Sequence, residues 1–275
     1  MPNDTYRQKE KLLMLCSDIQ LPAEMKQEVA RTAETLDISP LAAHIEALLS
    51  IETAAAAYNA IKDHLGNDPK GIKMLTVELT AAARVRELYA EKGIDDAVYV
   101  STMKCFTRFI NEYMTTFGHY GFDRGWWAYR QLAQSIYRLG VLEFEMLEGK
   151  LSVHIPSDAV MTREELDRSY AWARQFFARH YRDYRYEGMY CGTWLLSPVL
   201  REMLPAGSKI LNFQDDYDIV SVNLESESCM NWVFKKEYPD IDSLPEDTTL
   251  QRAIKNHLKA GGKIGTASGW VKNRI

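Results

Sequence analysis

The segment from Gly149 to Phe177 constrains the fold most, because it joins a strand, a turn and a capped helix within a short stretch. Apolar and polar residues alternate over 151–155 with the two-residue period of a strand. Pro156 lacks an N–H group and ends the strand. Thr162 and Glu165 have the spacing of a capping box, which starts an amphipathic helix. A strand end that faces a helix start offers N–H groups and a positive dipole end, so this segment predicts an anion site.

The composition predicts a globular chain in a reducing compartment. With 275 residues, 46% of them hydrophobic, the chain is long enough to bury a core. A net charge of −5 without a basic cluster predicts no nucleic-acid partner. The cysteines lie far apart without a C-x-x-C pair, which argues against a zinc site or a disulfide framework. A polar start and the lack of a long apolar run predict a cytoplasmic protein without a membrane partner.

The first part of the chain, up to about residue 118, has the periodicity of helices only. Continuous helices are predicted over 39–61 and 95–117. Three glycines between Gly118 and Gly125 mark a boundary, so we predict a helical domain over 1–120 and a second domain over 121–275. Helical spacing returns over 126–139.

The hydrophobic period changes to two at Val141. Strands over 141–147 and 150–156 are predicted to pair as a hairpin around Glu148-Gly149. Later elements follow in the order helix, strand, two short helices, two strands and a last helix. Their predicted positions are 162–182, 188–196, a helix capped by Ser197, 208–214, 217–224, 229–235 and a helix capped by Asp247. The predicted class is α+β, a helical N-terminal domain followed by a mixed β-sheet domain flanked by helices.

This order of elements, with Leu151-Ser-Val-His-Ile-Pro156 leading into a long helix, resembles the GNAT acyltransferase fold. More narrowly, the chain resembles bacterial acyltransferase-domain proteins with a helical N-terminal domain and a GNAT-like C-terminal domain. The segments that carry this likeness are 137–145, 245–250 and 261–269, and within the sheet also 188–198, 217–221 and 230–236. The resemblance implies that acetyl-CoA or another acyl-CoA is the acyl donor and that an amine is the acceptor.

Two features depart from the family pattern. The family's pyrophosphate loop carries glycines, whereas residues 157–162 contain none, so backbone N–H groups approach a phosphate less closely. Many members also carry a late tyrosine as the acid for the leaving thiolate, and the corresponding segment 209–214 has none.

Acyl transfer to an amine needs a base and a route for the leaving thiolate, and four residues are candidates for catalysis. His154 is the leading base; the alternative is a histidine hydrogen-bonded in the sheet surface. Glu143 and Glu145 are carboxylate candidates on the neighbouring strand, or a solvated strand face. Cys191 is a candidate nucleophile, or a small core residue.

The candidate contacts to the donor surround the turn that follows the strand. Ser157, Thr162 and Arg163 offer a hydroxyl, a backbone N–H and a guanidinium to a phosphate, although capping alone would also explain them. The resemblance adds Ile155 and Ser197. No metal site is predicted, because no pair of metal-ligating residues has a suitable spacing.

Three functions are consistent with these patterns. The first is an acyl-CoA-dependent N-acyltransferase acting on a small-molecule or peptide amine, with a homodimer as one option. The second is a GNAT-like module that binds or regulates without catalysis, which the glycine-free loop favours. The third is an interaction protein whose working surface is the helical half.

Overall fold

A computed structural model describes the backbone of residues 2–272 and the side chains of residues 8–272. Between residues 2 and 135 the described chain forms helices only, and strands follow, so the predicted α+β class is confirmed. The N-terminal elements are α1 (Pro2–Asp18), α2 (Ala23–Thr35), a 3-10 turn (Ser39–Leu41), α3 (Ala42–Ala47), α4 (Ala54–Leu65), α5 (Ile72–Glu91), α6 (Asp96–Met103), α7 (Cys105–Phe117) and α8 (Gly125–Leu132).

Three predicted helices in this region were wrong in extent. The segment 39–61 is interrupted between α3 and α4, where the Thr53 hydroxyl donates to the Ala47 carbonyl and ends the helical run. The segment 95–117 breaks at Lys104 into α6 and α7. The run 126–139 ends as a helix at Leu132, and Ile136–Leu139 is the strand β1, because branched and aromatic side chains favour an extended backbone.

The chain divides into two compact units. The first comprises Met1–Leu139 and Gln175–Arg182, and the second comprises Gly140–Arg174 and Asp183–Ile275. Within residues 2–272, no helix has both the length and the apolar character that crossing a bilayer requires.

The second unit is built on five strands. They are β2 (Leu142–Leu147), β3 (Gly149–His154), β4 (Tyr186–Thr193), β5 (Tyr217–Asn223) and β6 (Thr266–Val271), in the order β2-β3-β4-β6-β5. Only the pair β3–β4 is parallel; the other neighbours are antiparallel. The remaining helices are α9 (Arg163–His180), α10 (Leu200–Met203), α11 (Lys209–Gln214), α12 (Ser228–Val233) and α13 (Thr249–Lys259), and a 3-10 turn (Trp194–Leu196) follows β4. The residues of α9 up to Arg174 belong to the second unit, and those from Gln175 belong to the first.

The hairpin of β2 and β3 forms as predicted. Leu147 pairs with Lys150, which leaves Glu148-Gly149 as the turn, and Gly149 adopts a φ of +69° that favours glycine. Tyr184 stabilises this turn, because its hydroxyl donates to the Lys150 carbonyl at 2.6 Å. The hairpin therefore has a fixed register, which decides which side chains share a face.

The last strand of the sheet was misplaced by sequence reasoning. The segment 229–235, predicted as a strand, is the helix α12, whose Cys229 and neighbouring Phe234 pack into a core with Ile254 of α13. The strand is instead β6, which follows α13 and for which no strand was predicted. Its Gly269 is needed because a Cβ there would lie 2.5 Å from the Asp218 carbonyl oxygen. The last helix is capped by Thr248 with Gln251, rather than by Asp247.

The first unit buries a carboxyl group that has no hydrogen-bond partner within the described residues. Glu78 of α5 is 0% exposed, and neither carboxylate oxygen accepts a hydrogen bond within the described residues. The carboxyl packs so closely on α8 that a Cβ at Gly125 would lie 3.2 Å from Oε1. Burial raises the pKa of Glu78 well above its usual value, so the folded state favours the protonated form.

We predict that Glu78→Gln stabilises the protein increasingly as pH rises. The stability that the protonated carboxyl contributes is fully present below the unfolded pKa of about 4.3 and is lost as pH rises through the higher folded pKa. Between those values the wild type should lose up to about 1.4 kcal/mol per pH unit relative to the variant. Thermal melting of both proteins between about pH 5 and about pH 8 measures this difference.

The matched control is Glu91→Gln, which changes an exposed carboxylate at the end of the same helix. Its melting temperature should follow that of the wild type over this pH range. A difference between Glu78→Gln and wild type that stays constant with pH would contradict a buried, protonated Glu78.

Candidate active site

The sheet of the second unit opens between β3 and β4. Their pairing runs from Gly149 opposite Tyr186 to Ser152 opposite Tyr190. Beyond these residues β3 stays paired with β2 as far as His154, and β4 stays paired with β6 as far as Thr193. Within the described chain no β3–β4 pair follows Ser152–Tyr190, so two strands that each keep their other neighbour diverge here. We call this opening, beyond Ser152 and Tyr190, the β3–β4 gap.

A histidine and a carboxylate lie together on the β3 side of the gap. His154 is opposite Glu143 in the β2–β3 register, and Ser152 is opposite Glu145, so all four side chains share one face. His154 Nε2 lies 2.9 Å from Glu145 Oε2, a diagonal contact across the two strands. The predicted alternative of a solvated strand face does not describe these glutamates, because both Glu143 and Glu145 are buried.

The helix α9 starts close to the end of β3. The Glu165 backbone N–H donates to the Thr162 hydroxyl at 3.4 Å, which is one half of the predicted capping box. The other half is absent from the described residues, since the Thr162 N–H donates to the Val160 carbonyl and the Glu165 carboxylate accepts from Arg168. Thr162 therefore lies where predicted, at the first turn of the helix.

Arg163, a predicted phosphate contact, is held by two carboxylates. Its Nη1 and Nη2 lie 2.5 and 2.6 Å from the two carboxylate oxygens of Asp216. Asp167, one turn further along α9, accepts from Nε at 3.2 Å. The Asp216 carboxylate raises the pKa of Arg163 further above its usual value, so the guanidinium stays charged.

Cys191, the predicted nucleophile, is the first β4 residue past the last β3–β4 pair. It is 0% exposed, and burial raises the pKa of its thiol to about 12, partly opposed by a hydrogen bond with Tyr217. The Tyr217 hydroxyl lies 3.0 Å from the Tyr170 hydroxyl of α9. These surroundings do not favour a thiolate, although the catalytic role of Cys191 stays a prediction.

The other predicted donor contacts lie in different environments. Ser197 is buried, and its hydroxyl donates to the Ile264 carbonyl at 2.5 Å, so it ties the chain after β4 to the approach of β6. Ile155 is half-buried directly after β3, and Ser157 is exposed in the turn. The structure thus brings Ile155, Ser157 and Thr162 to one loop and leaves the Ser197 hydroxyl already bonded elsewhere.

Sequence reasoning missed Asp216, Tyr217 and Tyr170. One signal was available, because Arg163 and Tyr170 lie two helical turns apart and so share a face of α9. The partners of that face, Asp216 and Tyr217, lie far along the chain, and no local pattern predicts such a contact. Within the described residues, no group of three or more metal-ligating side chains forms a metal site.

Comparison with known proteins identifies both parts of the chain. Residues 10–133 match the family model of the N-acyltransferase N-terminal domain, and residues 136–271 match that of the GNAT-like C-terminal domain. No curated protein sequence matches the chain significantly. The resemblance drawn from the sequence is therefore confirmed by the two family models.

Solved acyltransferase structures share the fold over nearly the whole chain. One, in complex with decanoyl-CoA and teicoplanin, is 24% identical with a TM-score of 0.79, covering 94% of this chain and 86% of that chain. Another, in complex with CoA and 10C-teicoplanin, is 25% identical with a TM-score of 0.77 over the same shares, 94% and 86%. A mutant acyltransferase in complex with octanoyl-CoA is 24% identical, with a TM-score of 0.80 over 96% and 88%.

The reactivity of Cys191 distinguishes the predicted nucleophile from its alternative, a small core residue, and its burial leads us to expect a thiol that does not react in the folded protein. Because burial raises the pKa of its thiol to about 12, iodoacetamide at neutral pH should label it only after unfolding. Mass spectrometry of the peptide that contains residue 191 measures the labelling. In a Ser157→Cys variant, the exposed new thiol should react quickly under the same conditions and serves as the positive control. Labelling of Cys191 as fast as that control would contradict this view and support an activated thiolate.

Proposed function

The chain belongs to the acyltransferases that join an N-acyltransferase N-terminal domain to a GNAT-like C-terminal domain, and we propose that it transfers a fatty acyl group from acyl-CoA to the amine of a small molecule or peptide. The observation that carries the proposal is the β3–β4 gap with His154 and Glu145 at its edge. The gap leaves strand edges that a pantetheine amide can pair with, as a peptide pairs with an open sheet.

His154 acts as the general base in this proposal. If its Nε2–H donates to Glu145, the lone pair lies on Nδ1, which can accept the proton that the attacking amine loses. Glu145 then orients the ring and stabilises the imidazolium that forms. The amine attacks the thioester carbonyl, the tetrahedral intermediate collapses, and the CoA thiolate leaves with the electron pair of the C–S bond.

The donor and acceptor classes are proposed from the structural neighbours. Those acyltransferases bind octanoyl-CoA, decanoyl-CoA and teicoplanin. We propose a medium-chain acyl-CoA as the preferred donor over acetyl-CoA, and an amine on a peptide-like small molecule as the acceptor. The start of α9 supports the donor, because the N–H groups of its first residues and its dipole favour a diphosphate.

The second candidate function is a GNAT-like module that binds a ligand without catalysis. Two observations favour it. The loop 157–162 contains no glycine, and the start of α9 carries Glu164 and Glu165, which repel a phosphate. In that case the chain would bind a ligand in the β3–β4 gap with no acyl transfer.

Several finer predictions remain proposals. A boundary between residues 120 and 121 would be tested by limited proteolysis. A homodimer would be tested by sedimentation; its most suitable surface is the edge strand β5, where Ile219, Val220 and Val222 are exposed. A bacterial cytoplasm is proposed from the sequence resemblance.

We predict that His154→Gln lowers kcat for acyl transfer about 10²- to 10⁴-fold, the range expected when a general base is removed. Because the base acts after the donor has bound, the Kd for octanoyl-CoA should change little. Thiolate release with a panel of peptide-like amines measures kcat, and calorimetry measures Kd. Glu145→Gln should give a smaller loss of kcat, since it orients the base.

The control for this experiment is His257→Gln, a histidine of the same unit on α13. It should leave both kcat and Kd unchanged. Octanoyl-CoA binding by the wild type with no transfer to any amine of the panel would favour the binding module. A wild type that binds no acyl-CoA would refute both proposed functions of the β3–β4 gap, acyl transfer and acyl-CoA binding without catalysis.

A further inference from the structure

We propose that Asp216 is a positioning residue for the acyl donor, because its ion pair with Arg163 holds the start of α9 at a fixed place beside the β3–β4 gap. This inference rests on the proposed function and adds to it a residue that does not touch the substrate.

The geometry of the ion pair fixes the Arg163 guanidinium relative to the Asp216 carboxylate. Both terminal nitrogens of Arg163 meet the two oxygens of Asp216, at 2.5 and 2.6 Å, as a bidentate pair. Asp216 is 2% exposed, so its carboxylate is shielded from water. Asp167 takes Nε and a terminal nitrogen on the other side, which keeps the guanidinium plane in one orientation. The guanidinium of Arg163 is thus bonded to carboxylates. Its effect on a bound phosphate is indirect, because it fixes the position of the helix start.

A second contact joins the same two elements. Tyr170 lies two turns after Arg163 on the same face of α9, and its hydroxyl lies 3.0 Å from that of Tyr217, the residue after Asp216. Asp216 and Tyr217, which are adjacent at the start of β5, therefore contact α9 at two positions, Arg163 and Tyr170.

Asp216 is anchored on the far side of the gap. Its carbonyl accepts from the Lys272 N–H at 2.7 Å, and Lys272 directly follows β6, which pairs with both β4 and β5. The helix α9, in contrast, follows β3 through the loop 155–162, and β3 pairs with β2. Since β3 and β4 are unpaired beyond Ser152 and Tyr190, the ion pair connects the two halves of the sheet where strand pairing no longer does.

The consequence concerns the nucleotide end of the donor. The backbone N–H groups of Arg163 and Glu164 belong to the first turn of α9, where N–H groups have no carbonyl partner within the helix. Their positions relative to the gap follow from the position of Arg163. Without the ion pair, the helix start would shift, and the donors to the diphosphate would be misplaced while the gap could still admit a pantetheine.

The test compares two probes on the full chain, octanoyl-CoA and octanoyl-pantetheine, the second of which lacks the diphosphate and nucleotide. Asp216→Asn should raise the Kd of octanoyl-CoA about tenfold, the effect of losing roughly one charge-assisted hydrogen bond. The Kd of octanoyl-pantetheine should change less than about twofold, so the preference for CoA falls. Calorimetry measures both. A purely structural role would weaken both probes equally.

The matched control is Asp215→Asn, the neighbouring aspartate, whose carboxylate pairs with Arg201 on the surface. It should leave both Kd values unchanged. If Asp216→Asn does not fold, Asp216→Glu, which keeps the charge but displaces the carboxylate, should show the same selective loss for octanoyl-CoA. An unchanged Kd for octanoyl-CoA in the variant, or an equal loss for both probes, would overturn the inference while leaving the proposed function intact. A wild type that binds neither probe would instead refute the proposed function.

Discussion

The second unit depends on one interrupted row of backbone hydrogen bonds. Parallel pairing of β3 and β4 stops after Ser152 and Tyr190, while each strand continues along its other neighbour. Backbone N–H and C=O groups at a strand edge inside a protein need hydrogen-bond partners, because burying them unpaired costs free energy. An opening within a sheet is therefore suited to a ligand that carries amides of its own, and a pantetheine arm has two.

The chemistry around this opening follows from strand geometry. Alternation along β2 and β3 places His154 and Glu145 on one face, and the hairpin register sets the contact between them. Beyond the opening, Cys191 is buried, and the hydroxyl of Tyr217 on β5 contacts that of Tyr170 on α9. The proposed base on β3 and the contacts that hold α9 thus lie on different elements, which separates the proposed reactivity at His154 from the positioning role proposed for Asp216.

Local patterns predicted the elements that local forces determine. The β2–β3 hairpin was predicted from its alternation and the Glu148-Gly149 turn, and the start of α9 from Thr162. The strand β6 was missed, because its sequence is rich in small residues that only the close approach of β5 explains, as Gly269 illustrates. The segment 229–235 was assigned to a strand, since a short apolar run fits a buried helix equally well. The ion pair of Arg163 joins residues distant in sequence, so no periodicity could predict it.

The most direct test of this account is a crystal structure of the protein grown with octanoyl-CoA. We expect the pantetheine arm to lie between the ends of β3 and β4, with its amides bonded to backbone groups near His154 and Cys191 and its diphosphate at the start of α9. A donor bound elsewhere, with β3 and β4 bridged directly by their own side chains, would contradict the central claim.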